Sequence, residues 1–180
     1  MTTHTADFGG VSRDLPVVPV SETVSVAFLK LYGDVELTEH CADQLSVMLM
    51  SDVDVLLAGE SGGILLAHAI ARRRSLSYVL ARKKRRPTMR QPLAVSLQTI
   101  GTAGEQMLFL DEADTAKLQG NRVAIVDEVV SSGATVTALG TLAHQAGGHV
   151  VQVLAIATEG DERSDVDVLT HLPLFPTEPR

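Results

Sequence analysis

The stretch from Val123 to Thr135 most constrains this chain of 180 residues, because a buried strand, two acids and a turn of small residues follow one another. Four apolar residues, Val123 to Val126, predict a strand buried on both faces. The next small residues predict a strand-to-helix turn: Ser131, Ser132, Gly133, Ala134 and Thr135. Backbone N–H groups in such a turn can surround a phosphate at the positive end of the following helix.

Two adjacent acids, Asp127 and Glu128, separate this strand from its turn. Carboxylates accept hydrogen bonds from vicinal sugar hydroxyls, and they repel a bare polyphosphate unless a cation intervenes. The predicted ligand therefore combines a sugar with phosphate, and the two acids are the candidate catalytic residues. An ordinary turn between parallel elements, with acids at its mouth, is the alternative.

A second glycine-rich segment, Gly59 to Gly63, follows a short apolar strand predicted over residues 54–58. In open parallel sheets, ligands collect outside the carboxyl ends of the strands, so the two turns can address one extended phosphorylated molecule. A turn that only packs a helix against its strand is the alternative.

Composition limits the classes of protein to which the chain can belong. With 45% hydrophobic residues, 180 residues suffice for one domain with a full core. The net charge of −7 argues against general binding to nucleic acid or to an anionic membrane. A single cysteine, Cys41, excludes an intrachain disulfide and a zinc site built from cysteines, and it is interpreted as a core residue. No secretory signal and no run of eighteen apolar residues is found, so we expect a cytoplasmic protein.

Strands alternate with helices along the chain, which predicts an α/β fold with a mostly parallel central sheet covered by helices on both faces. We expect one domain over residues 1–180, with an N-terminal hood segment at 1–35 and a core at 36–157. Residues 84–105, with short antiparallel strands around Leu93–Leu97 and Met107–Leu110, are the candidate flexible lid. Residues 158–180 are expected to form a C-terminal tail.

The motifs together resemble the type I phosphoribosyltransferases, and most closely the purine (adenine-type) enzymes, from about Asp52 to Ala157. The resemblance implies a Rossmann-type fold with a small N-terminal/C-terminal hood and a flexible lid loop. It also implies that Gly59–Gly63 is similar to a pyrophosphate-binding loop. It implies transfer of 5-phosphoribosyl from phosphoribosyl pyrophosphate (PRPP) to a purine base, in nucleotide salvage, with release of pyrophosphate. Adenine, giving AMP, is the best-matching base. A homodimer and Mg²⁺ carried by the substrate are also implied, with the two acids at most in the outer shell of the metal.

The resemblance also assigns roles to residues. Asp127 and Glu128 hold the ribose hydroxyls, and the small turn holds the 5-phosphate. Pyrophosphate is assigned to Glu60, Ser61, Gly62, Gly63, Arg82 and Lys83. The basic run from Arg82 to Arg86 is otherwise open to interpretation as a solvated face or a nucleic-acid signal. Val129 and Arg13 are assigned to the base, Arg13 because Arg13-Asp-Leu resembles a segment that contacts adenine.

Two departures from the family leave the base open. Hypoxanthine-guanine enzymes carry an aspartate where this chain has Ser131, and adenine enzymes carry a glutamate in a lid segment of which residues 96–102 keep only the ends. A 6-oxopurine enzyme (hypoxanthine, guanine or xanthine) is therefore the runner-up. A non-catalytic PRPP-binding regulator is the rival from another class, although the chain offers neither an evident DNA-binding segment nor a basic face.

Overall fold

The computed structural model describes residues 2–97 and 106–177. Its centre is a five-stranded sheet in which every neighbouring pair is parallel, in the order β10-β9-β8-β4-β5. These strands are β4 (Val55–Gly59), β5 (Ser77–Ala81), β8 (Arg122–Val130), β9 (His149–Glu159) and β10 (Asp167–Leu172). The predicted α/β fold with a parallel sheet is confirmed.

Helices cover both faces of this sheet, as a parallel sheet requires. They are α1 (Val35–Met48), α2 (Gly63–Arg74), α3 (Glu112–Leu118) and α4 (Ala134–Gln145). On one face, α1 and α2 pack against Leu56, Val126 and Ile156 in a core that contains the fully buried Cys41. On the other face, α4 packs against Leu57, Val123 and Ile125. No helix in the described ranges is long and apolar enough to cross a membrane.

A second sheet, the hood, covers the α1–α2 side. It contains β1 (Thr3–Asp7), β2 (Ser12–Pro19), β3 (Val24–Ala27) and β11 (Leu174–Pro176), all paired antiparallel. The described part of the C-terminal segment, residues 158–177, contributes β11 to the hood, as expected for a hood built from both ends of the chain, and it also adds β10 to the central sheet. Its Leu172 is fully buried, which shows why this segment packs with the body of the protein.

A short antiparallel pair lies on the α4 side of the sheet, β6 (Leu93–Leu97) with β7 (Gln106–Leu110). Two hydrogen bonds of 2.8 Å between the backbones of Arg82 and Phe109 tie β7 to the end of β5. These strands agree with the short strands predicted there. The lid over residues 84–105 remains a prediction, because residues 98–105 lie outside the described ranges.

β8 extends further than the apolar run from Val123 to Val126 predicted. Its parallel pairing with β9 continues through Asp127 opposite Ala155 and Val129 opposite Ala157. The two acids therefore belong to the carboxyl end of the strand, where sheet hydrogen bonds hold their backbone. Regular pairing with β9 outweighs the weak strand preference of acidic residues at this point.

Candidate active site

A pocket of about 570 Å³ opens at the carboxyl ends of β4, β8 and β9, beneath the hood. This volume lies within the range usual for small-molecule sites. Most of the sequence-predicted residues of both turns line it: Gly59, Glu60, Ser61, Gly62, Lys83, Asp127, Glu128, Val129, Ser131 and Thr135. The structure thus brings the two glycine-rich turns and the acidic pair to one place.

The turn after β8 forms a smaller cup of about 90 Å³, lined by Ser131, Ser132, Gly133, Ala134 and Thr135 together with Asp127. Gly133 has a φ of 79°, a conformation that glycine adopts without strain. It also precedes α4, whose N-terminus has no side-chain cap. The first N–H groups of a helix lack intrahelical partners and carry partial positive charge, so this cup suits an anion.

The helices α1 and α3 begin differently, because a side chain caps each of their N-termini. Asp34 accepts a hydrogen bond from the Leu37 N–H at the start of α1, and Asp111 accepts one from the Ala113 N–H at α3. Neither α2 nor α4 has such a cap. At α4, Ser132 Oγ accepts only a long hydrogen bond of 3.4 Å from the Ala134 N–H. The helices that begin beside the pocket therefore lack the carboxylate caps of α1 and α3.

Asp127 is held at the floor of the pocket. Its Oδ1 accepts a hydrogen bond of 2.8 Å from the backbone N–H of Glu128. Burial raises the pKa of Asp127 to about 6, although this hydrogen bond and the positive charge of Lys83 act in the opposite direction. Ionised Asp127 is thus poorly solvated and gains from a hydroxyl donor or a cation.

Glu128 contacts both the hood side and the second turn. Its Oε1 accepts a hydrogen bond of 3.3 Å from the backbone N–H of Leu31. A Cβ on Gly62 would collide with the Glu128 carboxylate in its present position, so an alanine there would displace that side chain. Burial, and secondly the charge of Asp127, raise the pKa of Glu128.

The acidic side chains of the pocket can be compared with the ligands that a metal ion needs. Asp127 and Glu128 are adjacent in the pocket, which Glu60 and Glu159 also line, and the described part of the chain contains no cluster of three or more His, Cys, Asp or Glu that would hold an ion. Mg²⁺ commonly binds through one or two carboxylates plus substrate phosphates, so Asp127 and Glu128 fit an ion that arrives on a phosphorylated substrate.

The second turn is organised by Glu60. Its carboxylate accepts a hydrogen bond of 3.2 Å from Arg82 Nη1 and one of 3.1 Å from the backbone N–H of Lys83. The Glu60–Ser61 peptide bond is cis. A Cβ on Gly63 would lie 2.7 Å from the Val126 carbonyl oxygen, which shows how closely the start of α2 approaches β8.

Three predicted residues line neither the main pocket nor the cup, namely Gly63, Arg82 and Arg13. Arg82 lines a neighbouring cavity of about 680 Å³ with Tyr78, Arg86 and Asp111. Arg13 forms ion pairs of 2.8 Å with Asp34 and 2.7 Å with Glu36, and these carboxylates raise the pKa of Arg13. Arg13 is not among the pocket-lining residues, since the acids at the start of α1 hold its guanidinium.

Three further residues at the site were not predicted. Phe28, half-exposed, lines the pocket from the hood segment, and Glu159 lines it from the end of β9. Arg163 Nη1 donates to the Ser132 carbonyl at 3.2 Å, and Arg163 Nη2 pairs with Asp165 at 2.7 Å. An acid that ends an otherwise apolar strand is the signal that would have identified Glu159.

Comparisons with known proteins agree with this arrangement. The family model described as the phosphoribosyl transferase domain matches residues 36–171. A hypoxanthine/guanine phosphoribosyltransferase of Methanococcus voltae is 31% identical over 120 residues, which cover 67% of this chain and 60% of that protein. Among solved structures, adenine phosphoribosyltransferase from Thermoanaerobacter pseudethanolicus superposes with a TM-score of 0.69 at 19% identity, covering 94% of this chain and 95% of that one. The enzyme from Saccharomyces cerevisiae gives 0.67 at 17% identity, with coverages of 93% and 94%. These two structural likenesses bear on the fold alone.

Proposed function

This chain belongs to the phosphoribosyl transferase domain family, and on that premise we propose that it is a purine phosphoribosyltransferase. It transfers the 5-phosphoribosyl group of PRPP to a ring nitrogen of a purine and releases pyrophosphate. The observation that carries this proposal is the convergence of the acidic pair with two uncapped helix starts on one pocket.

The cup from Ser131 to Thr135 is proposed to bind the 5-phosphate. Backbone N–H groups at the start of α4 and the hydroxyls of Ser131, Ser132 and Thr135 supply donors. Holding the phosphate here fixes one end of the substrate, so the anomeric carbon is delivered toward the acids.

Asp127 and Glu128 are proposed to accept hydrogen bonds from the ribose hydroxyls. Bond cleavage at an anomeric carbon builds positive oxocarbenium character, and nearby carboxylates stabilise it electrostatically. Mg²⁺ that arrives on PRPP supplies charge neutralisation for the pyrophosphate leaving group. The two acids bind and orient the ribose, which is joined to the pyrophosphate by the bond that breaks.

The pyrophosphate is proposed to lie against the turn from Glu60 to Gly63. Lys83 lines the pocket there, and Glu60 holds the backbone of Lys83 in place. Arg82, which is ion-paired with Glu60 at 3.2 Å, adds positive charge at the edge of this turn. A homodimer, in which the basic pair would also serve a neighbouring subunit, is part of this proposal and is testable by light scattering.

The base is proposed to bind between Val129, at the end of β8, and Phe28, from the hood segment, since both line the pocket. A flat apolar ring fits between an aliphatic and an aromatic side chain. Two classes of purine have support: adenine from the sequence motifs, and the 6-oxopurines hypoxanthine and guanine from the relative at 31% identity.

The test is pyrophosphate release by the purified protein with PRPP and Mg²⁺, screened against adenine, hypoxanthine, guanine, xanthine, uracil and orotate. Turnover with a purine, abolished in the double variant Asp127→Asn/Glu128→Gln, supports the proposal. Tight PRPP binding without turnover on any base would instead identify a regulator.

A further inference from the structure

Glu159 is the last residue of β9 and faces the same pocket as the proposed base site. Val129 pairs with Ala157 in the parallel β8–β9 ladder, and both pack on the side of the sheet covered by α1, α2 and the hood. Glu159 follows Ala157 by two residues, at the carboxyl end of β9 where the pocket opens. Both Glu159 and Val129 line the pocket.

The carboxylate of Glu159 is half-buried and has no protein partner in the described ranges: no residue there forms a hydrogen bond or an ion pair with it. Burial is what raises the pKa of Glu159. Asp127 and Glu128, by contrast, each accept a backbone N–H. A half-buried carboxylate that has no protein partner keeps both oxygens available to accept hydrogen bonds from donors on a ligand in the pocket.

We propose that Glu159 recognises the N–H donors on the six-membered ring of the purine, and that guanine is therefore the preferred base. This inference rests on the proposed function, which it extends by naming the base and the residue that selects it. Glu159 then supplies, from β9, a base-facing carboxylate in a chain that has Ser131 where hypoxanthine-guanine enzymes have aspartate.

The four purines differ in the hydrogen-bond donors and acceptors that they present to such a carboxylate, and this difference ranks their expected affinities. Guanine presents N1–H and a 2-amino group side by side, a pair that a carboxylate accepts with both oxygens. Hypoxanthine presents N1–H alone. Xanthine flanks its N1–H with two carbonyl oxygens. Adenine presents its 6-amino group beside an unprotonated N1, so one donor comes with an acceptor that faces the negative charge. A site built to bind such donors rejects an analogue that lacks them, because the polar group of the site is left unpaired.

The test measures the affinities of the product nucleotides by calorimetry, which requires no turnover. Wild-type protein, Glu159→Gln and the control Glu162→Gln are titrated with GMP and AMP at about pH 8, where a carboxyl with a moderately raised pKa is ionised. Glu162 is a matched control because it is an exposed glutamate in the following loop. Ribose 5-phosphate is titrated in parallel to show that each variant is folded and retains its phosphate cup.

The wild type is expected to bind GMP at least about tenfold more tightly than AMP. Glu159→Gln is expected to weaken GMP about tenfold or more and AMP less than about threefold, since the amide keeps only one acceptor oxygen. Ribose 5-phosphate should bind equally to all three proteins, and Glu162→Gln should behave as wild type.

Tighter binding of AMP than of GMP by the wild type would overturn the inference, and this comparison needs no variant. Equal effects of Glu159→Gln on the two nucleotides would also overturn it, because they would indicate a structural role. Turnover with adenine in preference to guanine would reject the inference while supporting the transferase. A protein without turnover on any base, yet with GMP selectivity lost in Glu159→Gln, would reject the transferase and support the inference.

Discussion

The backbone N–H of Leu31 donates a hydrogen bond of 3.3 Å to Glu128 Oε1 and so connects the hood side of the molecule to the acidic end of β8. Glu128→Gln keeps an acceptor oxygen for this bond but removes the charge. We expect PRPP affinity in the presence of Mg²⁺ to fall about tenfold, with an unchanged or higher Tm because repulsion from Asp127 is lost. Calorimetry and thermal denaturation check both, with exposed Glu22→Gln as the control. Unchanged affinity would remove Glu128 from the binding site.

Asp127 should make the protein less stable as the pH rises. Its folded pKa of about 6 lies above the ordinary value of 3.8, so the folded state retains its proton longer than the unfolded state does. Its contribution to the free energy of unfolding therefore falls between about pH 4 and pH 6 and stays low above that. Asp127→Asn should be more stable than wild type by about 2 kcal/mol at neutral pH and nearly equal at about pH 4, while losing transferase activity. Urea unfolding across this range measures the difference. A difference that does not change with pH would contradict the assignment.

Gly62 and Gly63 should respond differently to replacement by alanine. The new methyl group at position 62 meets the side chain of Glu128, which can turn aside, whereas at position 63 it meets the Val126 carbonyl oxygen of the backbone. Gly62→Ala should therefore weaken PRPP binding with a small change in Tm. Gly63→Ala should lower the unfolding free energy by about 1–3 kcal/mol. Thermal denaturation together with PRPP titration separates the two effects. A larger stability loss at Gly62 would show that Glu128 cannot move.

Arg163 should support the phosphate cup. Its Nη1 holds the Ser132 carbonyl, and its guanidinium lies so close to Gly133 that a Cβ there would come within 2.6 Å. Arg163→Ala should weaken ribose 5-phosphate about fivefold to tenfold through loss of this order and of a positive charge, and it should leave pyrophosphate binding unchanged. Arg90→Ala, which removes an exposed arginine, is the control. An equal loss for both ligands would indicate that Arg163 acts through overall charge.

The sequence predicted the parts of the site that depend on local order. An apolar strand followed by small residues predicts both turns, and Asp127 and Glu128 follow directly on such a strand. Glu159 and Arg163 reach the site only through the order of strands in the sheet. Because β9 lies beside β8, residues about thirty positions apart in sequence come to the same edge. The hood pairs β3 with β11, which no local pattern signals. Arg13 was predicted from a short resemblance, but Asp34 and Glu36 engage its guanidinium.

The uncapped starts of α2 and α4 have a consequence for the lifetime of the protein. Without ligand, these helix ends lack the carboxylate caps that stabilise α1 and α3, and a bound anion supplies that stabilisation. A substrate that binds only the folded state adds about 2.7 kcal/mol when present at a hundred times its Kd. The Tm should rise accordingly with PRPP concentration. In a cell depleted of PRPP, this protein would unfold more often and be degraded sooner, so its abundance would follow the supply of its own substrate.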